Sequence, residues 1–225
     1  AYVDKGLIYQ KLQHESSYYF PEQGLLLHAD MQLSEGFRVY VEGIFAYSSF
    51  NNLPPRPTEQ NQADFLFFYA DWQVTDQLSV RVGRQELAYG SQRLVSSLGW
   101  GDTRRPYEGI KLHYDGDEWD VDGFFTHIVN IKPYDLDDPD YNQRFYGLYS
   151  VYSGLEHSTL DFFYLGYDRS DTPPVGPGTF SIQTVGSRIF GGKSNWLWEL
   201  ESAIQFGDGP GFGVSQMAGM VTAGI

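Results

Sequence analysis

The chain has 225 residues, no cysteine and a formal net charge of −14, with 15 Lys and Arg against 29 Asp and Glu. The lack of cysteine excludes a disulfide framework and thiolate metal sites, and the acidic balance argues against a nucleic-acid partner. No run of about 18 apolar residues is present, so no transmembrane helix is predicted. Aromatic residues make up 17% of the chain and Gly is abundant at 25 residues, which favours strands and turns over helices.

Strand-like runs follow one another along the whole chain, whereas helical periodicity is scarce. The connections between them are short enough to predict an all-β antiparallel meander in which sequence neighbours pair. About twelve strands are readable, at residues 2–12, 25–33, 37–49, 63–73, 77–88, 107–114, 118–128, 144–154, 158–168, 179–190, 195–206 and 212–225.

Short and long connections alternate between these runs. Tight turns at one end of a meander and long loops at the other are typical of an outer-membrane barrel. We therefore predict an up-and-down transmembrane β-barrel located in the bacterial outer membrane, with a soluble or surface β-protein that binds carbohydrate through its aromatic residues as the alternative. The short turns are 34–36, 74–76, 115–117, 154–157 and 191–194; the long connections are 13–24, 50–62, 89–106, 129–143, 169–178 and 207–211.

Apolar and polar residues alternate within the strands, and successive side chains of a strand point to opposite faces. A water-soluble sheet with one buried face would show the same alternation, which therefore does not distinguish the two kinds of protein. The alternation of short and long connections does, and it favours lipid on the apolar side. In residues 37–49, the apolar side chains lie on the face opposite Arg38, Tyr40 and Glu42. Residues 118–128 and 195–206 show the same alternation of apolar and polar side chains. We expect these side chains to face lipid: Val39, Val41, Trp119, Val121, Leu200 and Ile204.

The run 77–88 breaks this pattern, because Leu78, Val80 and Val82 share their parity with Arg84 and Glu86. A bulge at Gly83 would switch the face. Alternatively, the charged pair lies above the hydrocarbon band. The sequence leaves both open.

Several segments in the second part of the chain resemble the alginate export family of outer-membrane porins. The resemblance extends over roughly residues 60–225 and keeps the same order along the chain. It is carried by Val82–Glu86 (VGRQE), Tyr89–Leu94 (YGSQRL), Thr103–Arg105 (TRR), Tyr107–Leu112 (YEGIKL), Phe163–Arg169 (FYLGYDR), Trp198–Glu201 (WELE) and Gln205–Gly207 (QFG).

The resemblance implies a monomeric barrel of about eighteen strands. We therefore expect residues 1–225 to form a single β-barrel domain that is incomplete at its C-terminus. It also implies passive transport of an anionic polysaccharide such as alginate. The charges expected to face the lumen are mixed, however, so a porin for another polar, anionic or saccharide solute stays open: Arg38, Lys111 and Arg188 stand against Glu42, Asp120, Asp122, Glu199 and Glu201.

Basic residues predicted to line the pore concentrate between Arg81 and Leu112, against an acidic background. Arginine forks bind carboxylates, and rings of them select anions in a pore. Two other interpretations remain: a structural ion pair of Arg84 with Glu86, and binding of outer-leaflet lipid phosphates by the loop arginines. The predicted selectivity residues are Arg84, Glu86, Arg93, Arg104, Arg105, Lys111 and Arg188.

No enzyme and no cofactor are predicted, since motifs such as HExxH and G-x-S-x-G are missing from the sequence. One acidic loop is a weak calcium candidate, although its spacing is not that of an EF-hand and a solvated loop is favoured. Its residues are Asp135, Asp137, Asp138 and Asp140. The expected partners are outer-membrane lipid and lipopolysaccharide and a polar or anionic solute, with no nucleic acid.

Overall fold

The computed structural model describes the backbone of residues 2–3, 7–15, 18–48, 60–99, 103–170, 178–209 and 212–224, and side chains within residues 24–47, 60–99, 103–170 and 178–208. Strands account for most of these residues. They are β1 (Tyr2–Val3), β2 (Leu7–Glu15), β3 (Tyr18–Ser34), β4 (Phe37–Ser48), β5 (Asn61–Gln73), β6 (Leu78–Gln85), β7 (Tyr107–Asp115), β8 (Trp119–Asn130), β9 (Asp138–Tyr152), β10 (Ser158–Ser170), β11 (Thr179–Lys193), β12 (Trp196–Gly209) and β13 (Phe212–Gly224).

All these strands belong to one sheet. From β3 to β13 each strand neighbours the next one in sequence, while β1 and β2 both pair with β3. The all-β, antiparallel, up-and-down prediction is confirmed, and the barrel of about eighteen strands stays a prediction. None of the described residues forms a helix long and apolar enough to cross a membrane.

Three predicted connections differ from the structure: 129–143 shortens to 131–137 because β9 begins at Asp138, and two others are wrong at the N- and C-terminal parts of the sheet. Residues 13–24 are not a long connection, because β2 continues to Glu15 and β3 begins at Tyr18. Likewise, β12 extends to Gly209, which leaves only 210–211 before β13. Backbone pairing explains both: Lys11 pairs with Glu22 and Gly207 with Val214, and a ladder needs no apolar side chain at those positions.

The two faces of the strands differ in exposure as the alternation predicts. In β4, Phe37 and Phe45 are 38% and 42% exposed, whereas Glu42 and Ile44 on the opposite face are buried. The register extends this arrangement to β5, where Asp71 lies opposite Arg38. Large apolar side chains exposed along one face suit a lipid environment. We call the face with Arg38 and Glu42 the polar face of β4.

The chain divides into two compact units. The first contains residues 1–72, 81–109 and 128–140, and the second contains 73–80, 110–127 and 141–225. In the first unit a small apolar cluster of Ile44, Ala46, Leu66 and Phe67 lies beside Leu26, Tyr40 and Tyr69. In the second unit, buried aromatic residues include Tyr149 and Phe163, whose rings stack. A single β-barrel domain over residues 1–225 stays a prediction.

Candidate functional site

Four charged residues alternate in sign across β3 to β6 of the first unit, and we call them the charge ladder: Asp30, Arg38, Asp71 and Arg81. Arg38 donates two hydrogen bonds to Asp30, at 2.7 and 2.8 Å, and a third to Asp71 at 3.0 Å. Arg81 donates two to the same Asp71, at 2.6 and 2.9 Å. Bidentate guanidinium–carboxylate bonds are strong and directional, so the ladder fixes both arginines.

Aromatic rings accompany the charge ladder. His28, Tyr40 and Tyr69 stack in succession, with ring centroids 5.7 and 5.1 Å apart. The Arg81 guanidinium carbon lies 3.9 Å from the centroid of the Tyr69 ring, which is a cation–π distance. The side of the sheet that the sequence marks as polar is therefore rigid and aromatic as well as charged.

Arg84 lies in a dense polar cluster, with 12% of its side chain exposed. Its guanidinium is 3.2 Å from Glu108 and 4.0 Å from Asp64, and it donates to the backbone oxygen of Asp137 at 3.0 Å. Arg84 thus contacts the carboxylates of Glu108 and Asp64. The sequence had suggested an ion pair of Arg84 with Glu86 instead. Glu86 itself follows the last residue of β6.

Gly83, where the sequence allows a bulge, has an irregular backbone. Its φ is +127°, and a Cβ placed there would lie 2.3 Å from the backbone oxygen of Phe68. No other residue fits both the dihedral angle and the space, so a glycine is required at this point of β6.

The long connection between β6 and β7 reaches the polar side of β5. Buried side chains such as Leu87 and Val95 anchor it, and the backbone N–H of Arg105 donates to Ser97 at 2.7 Å. The Arg104 guanidinium lies 6.0 Å from the Phe67 ring. Phe67 pairs with Glu42, which places Arg104 over the polar face of β4 and β5.

The remaining loop arginines are more accessible. Arg93 is exposed and donates to the Ser91 hydroxyl at 2.8 Å, and the side chain of Arg105 is exposed. Within the described part of the chain, neither Arg104 nor Arg105 takes part in an ion pair. These two cations differ in this respect from Arg38, Arg81, Arg84 and Arg188 of the strands.

Asp137 ties the acidic loop to β5. Its carboxylate accepts hydrogen bonds from the Asn61 amide at 2.6 Å and from the Lys132 backbone N–H at 2.8 Å. Burial raises the pKa of Asp137 to about 6, and these two hydrogen bonds oppose the rise. Asp138 hydrogen-bonds the Lys132 ammonium at 2.8 Å, which raises the pKa of that lysine. Among the described residues, no group of three or more His, Asp and Glu side chains is arranged to hold a metal ion.

In the second unit, Lys111 and His113 share one carboxylate. The Lys111 ammonium lies 3.1 Å from Asp122, and His113 Nδ1 lies 2.7 Å from the same side chain. Asp120 is 4.0 Å from the other ring nitrogen of His113. Lys111 thus lies on the face opposite the exposed Ile110 and Leu112, as its parity predicts.

Arg188 joins two acidic strands of the same unit. It is 3.0 Å from Asp161 on β10 and 2.9 Å from Glu199 on β12. Asp161 is only 2% exposed and also accepts a hydrogen bond from the Tyr149 hydroxyl at 2.6 Å. The guanidinium stacks 3.9 Å from the Phe190 ring centroid.

The structure therefore sorts the predicted selectivity residues into two kinds. Among the residues that the structure describes, Arg84, Lys111 and Arg188 of the strands are paired with carboxylates, whereas Arg104 and Arg105 are not. Arg81 and Asp71 are not among the selectivity residues predicted from the sequence. The alternation of side chains along a strand could have predicted that Arg81 lies on the polar face, because its neighbours Val80 and Val82 lie on the opposite face.

An antiparallel meander with an exposed apolar face and a charged, hydrogen-bonded opposite face is the arrangement of an outer-membrane porin. The model of the alginate export family matches residues 16–221, and the chain belongs to that family. The family places the chain in the bacterial outer membrane. A comparison with curated proteins gives no match.

Solved outer-membrane porins are similar in fold at low sequence identity. Pseudomonas aeruginosa OpdK, crystallised with vanillate, is 13% identical, with 89% of this chain and 64% of OpdK covered and a TM-score of 0.45. Acinetobacter baumannii OccAB4 is 12% identical, with 96% and 66% covered and a TM-score of 0.41. A mutant Rh. blastica porin is 11% identical, with 95% and 85% covered and a TM-score of 0.37. The chain thus spans 64% and 66% of the lengths of the first two.

Proposed function

We propose that this chain lines a passive outer-membrane channel for polar saccharide or anionic solutes, with the connection between β6 and β7 as its selective element. The observation that carries the proposal is the contrast between paired and unpaired cations. Among the described residues, Arg84 and Arg188 of the strands contact carboxylates, whereas Arg104 and Arg105 form no ion pair. Only cations without a carboxylate partner retain a field that attracts an anion.

The charges of the strands argue for small or weakly charged solutes. In the second unit, the carboxylates of Asp120, Asp122, Asp161 and Glu199 lie around Lys111, His113 and Arg188. Such a wall repels a long polyanion, so the alginate-like polysaccharide implied by the family is the less favoured solute. A neutral or singly charged saccharide meets hydroxyl, amide and carboxylate partners instead.

Other details of the channel belong to the same proposal. They are closure into a barrel of about eighteen strands, a monomeric state, and contact with outer-membrane lipid and lipopolysaccharide. The match to the alginate export family supports the channel over the alternative of a soluble or surface β-protein that binds carbohydrate.

The test is the reversal potential of the full-length protein in a planar bilayer under a salt gradient. Changing Arg93, Arg104 and Arg105 together to Gln should move the reversal potential towards cation selectivity. The matched control changes Lys111→Gln with Asp122→Asn. It removes a strand ion pair without changing the net charge, so the reversal potential should stay where it is.

Solute passage is measured on the same variants by swelling of proteoliposomes. The loop variant should lower the permeation of glucuronate relative to glucose. If the loop variant keeps the wild-type reversal potential and solute ratio, the loop arginines do not select the solute and the proposal fails.

A further inference from the structure

The exposed face of β9 to β12 changes from apolar to polar in three successive rows. Strand register defines each row, since paired residues share a face. The first row is apolar, and its members are 40–49% exposed: Leu148, Tyr164, Val185 and Ile204. The second row is mixed: Tyr146, Gly166, Gln183 and Phe206. The third row is polar: Arg144, Asp168, Ser181 and Asp208.

Neighbouring rows are two residues apart along each strand, which is about 7 Å. The surface thus passes from aliphatic to charged over about 14 Å, towards the strand ends next to residues 131–137, 171–178 and 210–211. Tyr146 and Tyr164 lie at this transition. Tyrosines at such a transition are typical of the boundary between the hydrocarbon and the headgroups.

Hydrogen bonds link the tyrosines to the polar row. The Tyr164 hydroxyl donates to the Gln183 side-chain oxygen at 2.6 Å, and the Gln183 amide donates to the Tyr146 hydroxyl and to Ser181, each at 3.1 Å. The Ser181 hydroxyl in turn donates to Asp168 at 2.6 Å. This network holds polar groups on a face that is otherwise apolar.

Arg144 is the cation of the polar row. Its side chain is exposed, and within the described residues it forms no ion pair, although Asp168 is its cross-strand neighbour. Asp168 is instead bound by Ser181. An exposed guanidinium at the edge of a hydrocarbon band is suited to the bidentate binding of a phosphate.

We propose that this surface binds the headgroup of a phosphorylated glycolipid of the outer leaflet. Arg144 contacts the phosphate, and the oxygens of Asp168, Ser181 and Asp208 accept hydrogen bonds from sugar hydroxyls. A phospholipid supplies the phosphate without the ring hydroxyls and leaves those acceptors unused, which favours the glycolipid. The inference rests on the outer-membrane location within the proposed function.

The experiment measures binding of purified diphosphoryl lipid A to the full-length protein in detergent, from the shift of the thermal unfolding midpoint with lipid concentration. Arg144→Gln should weaken the apparent affinity about tenfold, the size expected for one charge-assisted contact. Arg144→Lys should retain part of it. Lys193→Gln, an exposed cation at the other end of β11, is the matched control and should bind as the wild type does.

Further ligands separate the possible sources of the phosphate. Dephosphorylated lipid A should bind the wild type and Arg144→Gln equally, and inorganic phosphate should produce no shift. Asp168→Asn should weaken lipid A but not phosphatidylglycerol. If phosphatidylglycerol binds as tightly as lipid A, with the same dependence on Arg144, the glycolipid assignment is overturned.

The proposal also fails if Arg144→Gln and Lys193→Gln bind lipid A with equal affinity. Heat-modifiable mobility in electrophoresis verifies that each variant is folded. Channel conductance of Arg144→Gln should equal that of the wild type. Failure of the lipid site would therefore leave the channel proposal intact, and failure of the channel proposal would leave the lipid measurement interpretable.

Discussion

Replacing Arg188 by Met should destabilise the protein strongly, because it would leave a buried carboxylate without its cation. Asp161 is 2% exposed and lies 3.0 Å from the Arg188 guanidinium, whose side chain is itself 12% exposed. Removing one partner of a buried ion pair costs about 3–5 kcal/mol. The Tyr149 hydroxyl still donates to Asp161, so we expect the lower end of this range, about 3 kcal/mol.

The assay is urea unfolding of the full-length protein in lipid vesicles, followed by tryptophan fluorescence. Combining Arg188→Met with Asp161→Asn removes the unpaired charge and should recover most of the lost free energy of unfolding. Lys132→Met is the matched control. Its partner Asp138 is exposed, so the unfolding midpoint should hardly move.

Two results would refute this reasoning. One is an Arg188→Met midpoint that falls no further than that of Lys132→Met. The other is a double variant that is no more stable than Arg188→Met alone, which would show that the unpaired charge of Asp161 is not the source of the loss.

Three further predictions concern single residues. Val121→Arg should impair membrane assembly, since an arginine on the lipid face costs about 2–4 kcal/mol; wild-type yield of folded protein would contradict it. Gly83→Ala should lower the free energy of unfolding by more than about 1 kcal/mol, because φ is +127° and the new Cβ meets Phe68; an unchanged urea midpoint would count against it. The raised pKa of Asp137, about 6 against 3.8, makes the carboxylate costly when folded, so the free energy of unfolding should fall by about 3 kcal/mol as pH rises from about 3 to about 7. Asp137→Asn should remove this decline in unfolding curves measured across that range.

Strand positions and their faces were predictable from the sequence because alternation is a local property. The run 118–128 was expected to place Trp119 opposite Asp120, and the structure has β8 at Trp119–Asn130 with Asp122 bound on the polar side. The predictions failed at Gly209, where backbone pairing extends a strand through glycines typical of loops, and at Tyr18, where a strand begins with aromatic residues inside a predicted connection.

The all-β meander, its polar and apolar sides, and the segments that resemble the alginate export family could be read from the order of the residues. Which charges meet depends on the folded chain. Arg84 donates to the backbone of Asp137, 53 residues away, and Arg188 contacts Asp161, 27 residues away. Such partners depend on the register of neighbouring strands and on the path of the connections, and local alternation contains no information about either.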